Sequence, residues 1–419
     1  MRTFGVLEVM GTMSKCVALG LALASVMACG SSEEAPTTSA SGTGGAGASV
    51  GPTTTTGGGG DDPSGSGGAG AGGGDGYTYS PPALAGLVYA GHFLGDNELV
   101  GYTTDTLTSV GAAIEPGGPT SGLLGIAKHG ILAVGIEGGT TMEAYDAATG
   151  AAIPGSPYAT GNAPVDLAHD DRRDLLFVYC IGTIGDPSRS ELSVYDTSSV
   201  PFVEVAGSPF DIDVAANQID VDPVTGNVYG ASLLGYWAVA YDGSGVTHLS
   251  GSPRTFDGGF GADLVVDPER RRLYVGERVT GATQRVLALD ADTFTPLAES
   301  PLSLPGSSLG DMVINPRTGD VWAVDFGDTT LHSIQAEPLM VRNTCGSMGC
   351  PILTTETGLA LDYDRDRLFI AHVPDLNQPD SGPGFFTAWD VSDAANPAEV
   401  TMPGQRLGLE LYPVTASSL

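Results

Sequence analysis

The stretch LVVDPERRRLYVG, residues 264–276, decides the fold because variants of it recur along the chain. Each copy has an apolar run, a turn at Asp-Pro or a similar pair, and a second apolar run. This is the pattern of two short antiparallel strands joined by a tight turn. The other copies are LAHDDRRDLLFVY from 167, IDVDPVTGNVYGA from 219, MVINPRTGDVWAV from 312 and LALDYDRDRLFIA from 359, with shorter versions at 126 and 86.

The copies are evenly spaced. One large residue marks the second strand of each unit, and these marker residues are Tyr89, Leu132, Phe177, Tyr229, Tyr274, Trp322 and Phe369. The gaps between them are 43, 45, 52, 45, 48 and 47 residues, and a further strand and a short fourth element complete each unit. Seven units of four short strands at this period predict an all-β fold, a seven-bladed β-propeller. A ring of six or eight blades, or a pair of β-sandwiches, fits the even spacing less well.

Strands within a blade are labelled a to d from the axis outward. The first unit lacks a strand a, and LGLELYP at 407–413 has the look of one. We therefore expect this C-terminal segment to insert as the innermost strand of blade one, closing the ring so that no open edge remains. The propeller then spans residues 77–419.

The charge balance limits the partners. The 419 residues include 49 acidic and 17 basic ones, a formal charge of −32. Such a surface repels phosphate backbones, so no nucleic-acid partner is expected, and we expect a monomer. Against this background Arg270, Arg271 and Arg272 stand together in an a–b turn. Because sister units carry VTGN, RTGD and RDR there, we expect a solvated turn that offsets part of the acidic surface.

The N-terminus predicts export. Residues 16–28, CVALGLALASVMA, match a signal-peptide core and are short for a membrane span. VMACGSS resembles a bacterial lipobox, which implies a signal peptide over 1–28, a lipid on Cys29 and an outer-membrane destination in the cell envelope. A plain secretory signal cut elsewhere is the alternative. Residues 29–76 then form a Gly/Ser/Thr-rich tether, too poor in apolar residues to fold.

The repeat also has a family likeness. Its Asp-Pro turn, Leu-Tyr-Val strand, Tyr-Asp turn and Gly-Ser-Pro phrase resemble the YVTN-repeat and lactonase-like seven-bladed propellers over about residues 86–413. The namesake tetrapeptide is absent, since FVYC, YVGE and FIAH stand in its place. Members of that superfamily hydrolyse sugar lactones or act as surface or periplasmic binding proteins. The resemblance implies either a binding or scaffold domain, which we favour, or a lactonase-like hydrolase.

One face of the ring carries the long loops. In a blade the b–c and d–a connections lie on one face, and the a–b and c–d turns on the other. The segments at 180–191, 341–357 and 372–384 all belong to the b–c/d–a face. Because binding usually resides in long loops on a rigid scaffold, we expect an unknown protein or small-molecule ligand there. Neutral drift of surface loops is the alternative.

Two registers supply candidate groups. Three positions after the marker residue, at the end of strand b on the b–c/d–a face, stand His92, Glu277, Asp325 and His372. Carboxylate and imidazole groups could bind a divalent cation or supply acid and base for lactone opening, although strand ends are often polar simply because they meet water. At the entrance of strand a, the candidates for a cation-attracting channel mouth are Asp166, Gln218, Asp263 and Asp311. The alternative there is that Asp favours strand starts.

The cysteines complete the predictions. Cys345 and Cys350 bracket Gly-Ser-Met-Gly in a loop of an exported protein, which favours a disulfide. A metal pair is the alternative, but no nearby His or Cys completes a ligand set of zinc type. Cys180 is expected to be a half-buried thiol at a strand end and not a nucleophile.

Overall fold

Seven antiparallel sheets form the blades of a β-propeller in the computed structural model of this chain, which confirms the predicted fold class. The structure describes residues 83, 86–92, 98–182, 190–257, 259–279, 283–306, 308–325, 330–345, 355–373, 384–400, 407–409 and 413–418. Their helical content is a single 3₁₀ turn, Ala127–His129. Within this part of the chain, no helix has the length and apolar character needed to cross a bilayer.

The strands follow the same order in every blade. From blade one to blade seven, strands a are Pro413–Ser418, Thr120–Ile126, Pro164–Asp170, Gln218–Val221, Gly259–Asp267, Leu309–Ile314 and Thr355–Asp362. Strands b are Leu87–His92, Ile131–Ile136, Leu175–Cys180, Asn227–Ala231, Arg272–Val279, Val321–Asp325 and Arg367–Val373. Strands c are Leu99–Thr103, Thr141–Asp146, Glu191–Asp196, Gly235–Tyr241, Thr283–Asp290, Thr330–Gln335 and Gly384–Asp390.

The outer strand d is a single segment in blades one, two and six, and two segments in the other blades. The single segments are Ser109–Ile114, Tyr158–Ala159 and Met340–Cys345. The divided ones, in blades three, four, five and seven, are Val203–Glu204 with Phe210–Asp211, Val246–His248 with Arg254–Thr255, Thr295–Pro296 with Leu302–Leu304, and Ala398–Glu399 with Leu407–Leu409.

The chain ends close the ring, although with a different segment from the one predicted. Each strand a contacts the strand a of the next blade all the way around. In blade one this strand is Pro413–Ser418, which pairs with Leu87–His92. The prediction that residues 407–413 form this strand was wrong. Leu407–Leu409 instead pairs with Gly384–Asp390, as the second half of strand d in blade seven. The sequence pattern missed this because strand d is divided in most blades, so one more segment is needed before the chain can return to the axis.

In blades two to five, the serine of a Gly-Ser-Pro or Glu-Ser-Pro phrase takes the place of strand d beside strand c. In blade three the turn at Ser208 lifts the chain away from strand c, and the Ser208 hydroxyl oxygen accepts the N–H of Val194 at 3.0 Å in place of a backbone carbonyl. The same bond recurs from Ala144 to Ser156, from Ala238 to Ser252 and from Ala288 to Ser300. Since a buried N–H without an acceptor is costly, this serine keeps strand c satisfied where the outer strand leaves it.

The a–b turns of blades three to seven share one geometry built on an Asp or Asn. The Oδ1 atom of this residue accepts N–H groups two or three positions later; the residues are Asp170, Asp222, Asp267, Asn315 and Asp362. The fourth position after it is left-handed; it is Asp174, Gly226, Arg271, Gly319 or Asp366, with φ between 51° and 80°. The turn chemistry of the repeat is therefore set by a side-chain acceptor and one left-handed residue.

The marker residues form the packing between blades. All seven are at most 2% exposed. Burying one such large apolar side chain contributes roughly 1.5–3 kcal/mol. Tyr229 and Tyr89 also donate their hydroxyl groups to the carbonyl oxygens of Ala291 and Ala147 respectively, so that their polar ends are satisfied.

The three consecutive arginines are joined to neighbouring blades instead of forming the solvated turn that we expected. Arg270 and Arg272 reach blade six, at the carbonyl oxygens of Arg317 and Ala336, and Arg271 reaches the carboxylate of Asp222 in blade four. Their side chains are only 14–24% exposed. Because the turns of adjacent blades lie side by side on the a–b face, a long side chain in one turn can bind the next.

Candidate functional site

Carboxylates on strands a link consecutive blades around the central axis. In each case one Oδ2 atom accepts a backbone N–H from strand a of the next blade at 2.6–2.8 Å. The donor–acceptor pairs are Ile219 to Asp166, Val266 to Asp220, Met312 to Asp263 and Leu359 to Asp311. Three of the four acceptors belong to the predicted channel-mouth set. Gln218 is the half-buried first residue of its strand, and in blade four Asp220 makes this bond.

These carboxylates retain protons unusually well. Burial raises the pKa of Asp166 and of Asp220 to about 7. The charge of Asp311 contributes to the shift at Asp166, although blades three and six are not neighbours, so these groups face a common central space. Burial and the adjacent Asp311 carboxylate raise the pKa of Asp263 well above its ordinary value, and a hydrogen bond joins the two carboxyl groups. These effects favour the state in which Asp263 is protonated and hydrogen-bonded to the Asp311 carboxylate.

Glu277 is enclosed by its own blade. Its carboxylate forms a two-point ion pair with Arg285, at 2.5 Å to Nε and 3.0 Å to Nη2. The side chain is 1% exposed and lies beneath the backbone at Gly259, where an added Cβ would stand 2.3 Å from Oε1. A bidentate pair of this kind is strong and directional, and it commits both carboxylate oxygens.

Asp325 occupies the equivalent place in blade six but has different neighbours. It is fully buried beneath Gly306, and its Oδ2 accepts the N–H of Ser308 at 3.2 Å. It also lies close enough to Arg278 of blade five for its charge to favour the guanidinium. Glu277 and Asp325 thus face separate surroundings, one within blade five and the other in the seam between blades five and six.

The seam between blades five and six contains a buried polar cluster, here called the five–six cluster: Arg278, Asp263, Asp325, Gln284 and His332. Burial lowers the pKa of Arg278, the neighbouring carboxylates of Asp325 and Asp263 oppose that shift, and its Nε donates to the carbonyl oxygen of Leu309. Gln284 and His332 are both fully buried, and their side chains are 3.2 Å apart. Burial lowers the pKa of His332 to about 4, so the imidazole is neutral near pH 7.

Sequence reasoning missed Arg278, Gln284 and His332, and the repeat contained a signal for Arg278. Arg278 stands four positions after its marker residue. The other six blades have only apolar residues at that place: Phe93, Ile136, Ile181, Leu233, Phe326 and Val373. A charged residue at a position that is apolar in the other blades indicates the location of the cluster.

The remaining candidates are located as follows. His92 and His372 lie on strands b of blades one and seven, and their side chains are outside the described residues. Cys29, Cys350 and the long loop segments 183–189, 346–354 and 374–383 are also outside them. Cys345 is a buried residue at the end of strand d in blade six, and its predicted disulfide with Cys350 stays a prediction.

Cys180 ends strand b of blade three. It is a free thiol and fully buried, where half burial was expected. Burial raises the pKa of the Cys180 thiol to about 12, so it is protonated and unreactive near neutral pH.

Comparisons with known proteins agree on the fold. No family model and no curated protein matches the sequence. Among solved structures, one from Bacteroides fragilis, described as a 6-phosphogluconolactonase, has a TM-score of 0.57 at 11% identity, over 81% of this chain and 100% of that one. The periplasmic gluconolactonase of Pseudomonas aeruginosa has a TM-score of 0.57 at 12% identity, over 80% and 98%. The hydrazine synthase of Kuenenia stuttgartiensis has a TM-score of 0.55 at 13% identity, over 71% and 88%. At these identities the likeness establishes the fold alone, and the chain shares the seven-bladed architecture of lactonase-like propellers.

Proposed function

We propose that this chain is an exported, lipid-anchored propeller that binds a small polar ligand at the five–six cluster. The observation that supports this proposal is the half-buried Arg278, which lies with two buried carboxylates and a neutral imidazole at a place where the sister blades are apolar. Burying charged groups in a seam between sheets costs stability unless each one is paired. Groups of this kind concentrate at functional sites, because the chemistry there requires them.

The cluster also suggests the chemistry of the ligand. Arg278 supplies a guanidinium suited to carboxylate or carbonyl oxygens. The Oε1 atom of Gln284 is a buried acceptor that has no hydrogen-bond partner among the described residues. A polyhydroxylated acid or its lactone offers the matching donors and acceptors.

Ligand binding at this cluster can be tested with a matched pair of arginine variants. Calorimetric titration of the protein with sugar acids and sugar lactones should give a single site, and Arg278→Gln should weaken it by roughly tenfold or more, the effect of losing a charged hydrogen bond. Arg285→Gln is the control, because Arg285 lies in the same blade and pairs with Glu277 outside the cluster. Equal weakening by both variants, or a panel without any binder, would contradict the proposal.

Lactone hydrolysis is the second candidate function, and the Asp263–Asp311 pair favours it. Two carboxyl groups that share a proton can act as base and acid for the attack of water on a carbonyl, while a nearby guanidinium stabilises the oxyanion. An esterase-type assay on sugar lactones would show turnover that Asp311→Asn abolishes while binding of the ring-opened acid persists. Binding without turnover in the wild type would leave the chain a binding protein.

Membrane anchoring rests on the lipobox at VMACGSS and the tether 29–76. We propose that Cys29 carries the lipid and that the propeller faces its surroundings from the outer membrane of the cell envelope. Palmitate labelling in cells should be lost in Cys29→Ala and retained in Cys16→Ala, whose cysteine lies within the apolar core of the signal. Labelling that survives the Cys29 change would show that the anchor is elsewhere or that the signal is a plain secretory one.

A further inference from the structure

Two histidines and a carboxylate converge on the a–b face, opposite the proposed binding site. His129 ends the 3₁₀ turn of blade two, His169 lies near the end of strand a in blade three, and Asp174 is the left-handed residue of the next turn. One ligand atom from each lies within 4.8 Å of the others, and all three side chains are half-buried. The imidazole rings stand edge to face, with centroids 6.1 Å apart at 84°.

Thr197 orients the second histidine. Its hydroxyl donates to the backbone carbonyl oxygen of Asp174 at 2.9 Å, which leaves the hydroxyl oxygen as the acceptor for His169. The contact from His169 Nε2 to that oxygen is 3.0 Å. Nε2 therefore carries the proton, and the lone pair of His169 is on Nδ1. A hydrogen bond that fixes the tautomer in this way is the usual second interaction of a metal-binding histidine.

The spacing of the other two groups fits a single ion. His129 Nε2 and Asp174 Oδ1 are 2.9 Å apart. Two ligands that each bind at about 2.0–2.1 Å and are this far apart subtend an angle of about 90° at the metal. The partial exposure of all three side chains leaves solvent access to the remaining coordination positions.

We propose that His129, His169 and Asp174 bind a divalent transition-metal ion of the zinc class. Two imidazoles and one carboxylate are a donor set for zinc, iron, cobalt or nickel, and they disfavour calcium and magnesium. Because His129 belongs to blade two and the other ligands to blade three, the ion would join the two blades.

Lys128 competes for the same carboxylate. Its ammonium lies 2.7 and 2.8 Å from the two oxygens of Asp174 and 3.1 Å from the carbonyl oxygen of Asp171. The lysine side chain is 41% exposed, so it can move into solvent when an ion takes its place. The site therefore predicts an unusual response: removing a cation beside the carboxylate should strengthen metal binding.

Cobalt titration of the tag-free full chain tests the proposal. Wild-type protein should bind one Co²⁺, give visible absorption from imidazole coordination, release the ion to Zn²⁺ and unfold at a higher temperature when loaded. His129→Gln, His169→Gln and Asp174→Asn should each weaken binding by at least about tenfold, whereas Lys128→Met should strengthen it about tenfold. His248→Gln is the control, because His248 is exposed and bonds only to Ser252 and Ile212 among the described residues.

The variants also separate binding from folding. Asp174→Asn keeps the size of a side chain that tolerates the left-handed conformation, so its metal-free unfolding temperature should stay near that of the wild type. Absence of stoichiometric Co²⁺ binding, or binding that the two histidine substitutions leave unchanged, would overturn the proposal. A Lys128→Met protein with weakened binding would also overturn it, because the lysine would then be supporting the ion.

Discussion

Arg271 should stabilise the propeller by joining blades four and five, and the effect can be separated into two parts. Its guanidinium pairs with the fully buried carboxylate of Asp222 and with Asp292 in its own blade. Its backbone is left-handed at φ 55°, which costs a non-glycine residue about 1 kcal/mol. Asp222 also accepts hydrogen bonds from Val224 and Thr225, so it keeps some partners when the arginine is removed.

The magnitudes follow from these contacts. Arg271→Ala leaves a buried carboxylate without its cation, at a cost of roughly 3 kcal/mol, the low end for a broken buried pair. Arg271→Gly loses the same pair but relieves the left-handed strain, so its net cost is about 2 kcal/mol. Arg367→Ala is the matched control: Arg367 pairs within its own blade with the more exposed Asp390, and it should cost less than about 1 kcal/mol.

Urea unfolding, with a double-mutant cycle of Arg271→Ala and Asp222→Asn, measures the coupling directly. The free energy of unfolding should fall in the order control, glycine, alanine, and the cycle should give a coupling above about 1 kcal/mol. A loss below about 0.5 kcal/mol for Arg271→Ala, the range of ordinary surface substitutions, would mean that the arginine is solvated and the reasoning is wrong.

Three further predictions concern the repeat. Ser208→Ala should lower the free energy of unfolding in urea by about 1–3 kcal/mol, because the N–H of Val194 in strand c loses its acceptor. Ser244→Ala is the control and should have little effect, because Ser244 lies in an exposed turn. Asp366→Gly should raise the unfolding midpoint by relieving about 1 kcal/mol of left-handed strain, since φ is 51° there. Burial raises the pKa of Asp166 to about 7 from the ordinary 3.8, so between these pH values the native state holds a proton that the unfolded chain has released. The free energy of unfolding should therefore fall as the pH rises from about 4 through 7. Calorimetry should show a weaker dependence of the unfolding temperature on pH for Asp166→Asn.

The fold could be predicted from the sequence because its repeating parts are local. The Asp-Pro turn, the marker residue and the GSP phrase each recur at nearly fixed spacing, and each is required by the geometry of one blade. The closing strand could not be placed with the same accuracy, because Leu-Gly-Leu at 407–409 has the apolar look of a strand a, whereas Pro-Val-Thr-Ala-Ser-Ser at 413–418 does not. Their assignment depends on how many strand d segments blade seven contains, which is a tertiary property.

The candidate groups were harder to predict. The register that selected Glu277 and Asp325 located two buried carboxylates but not their partners. Arg285 pairs with one from the adjacent strand c, and Arg278 approaches the other from the next blade. The same limit applies to the channel-mouth set, since a count along strand a selects Gln218 while the bond in blade four is made by Asp220, two positions later. Pairing across strands and blades cannot be read from one repeat at a time.

The repeat itself separates residues that hold the ring together from residues that have another purpose. The serine that replaces strand d in blades two to five recurs because these blades have the same N–H group to satisfy. The Asp or Asn of the a–b turn recurs in blades three to seven for the same reason. A specific activity must depend on positions that differ between blades. Arg278, whose six sister positions are apolar, is one such departure. The pair formed by His129 in a turn and His169 near the end of a strand a is another, and the two sites lie on opposite faces of the ring. The two sites can therefore be tested independently: Arg278→Gln should leave cobalt binding unchanged, and His129→Gln should leave ligand binding unchanged.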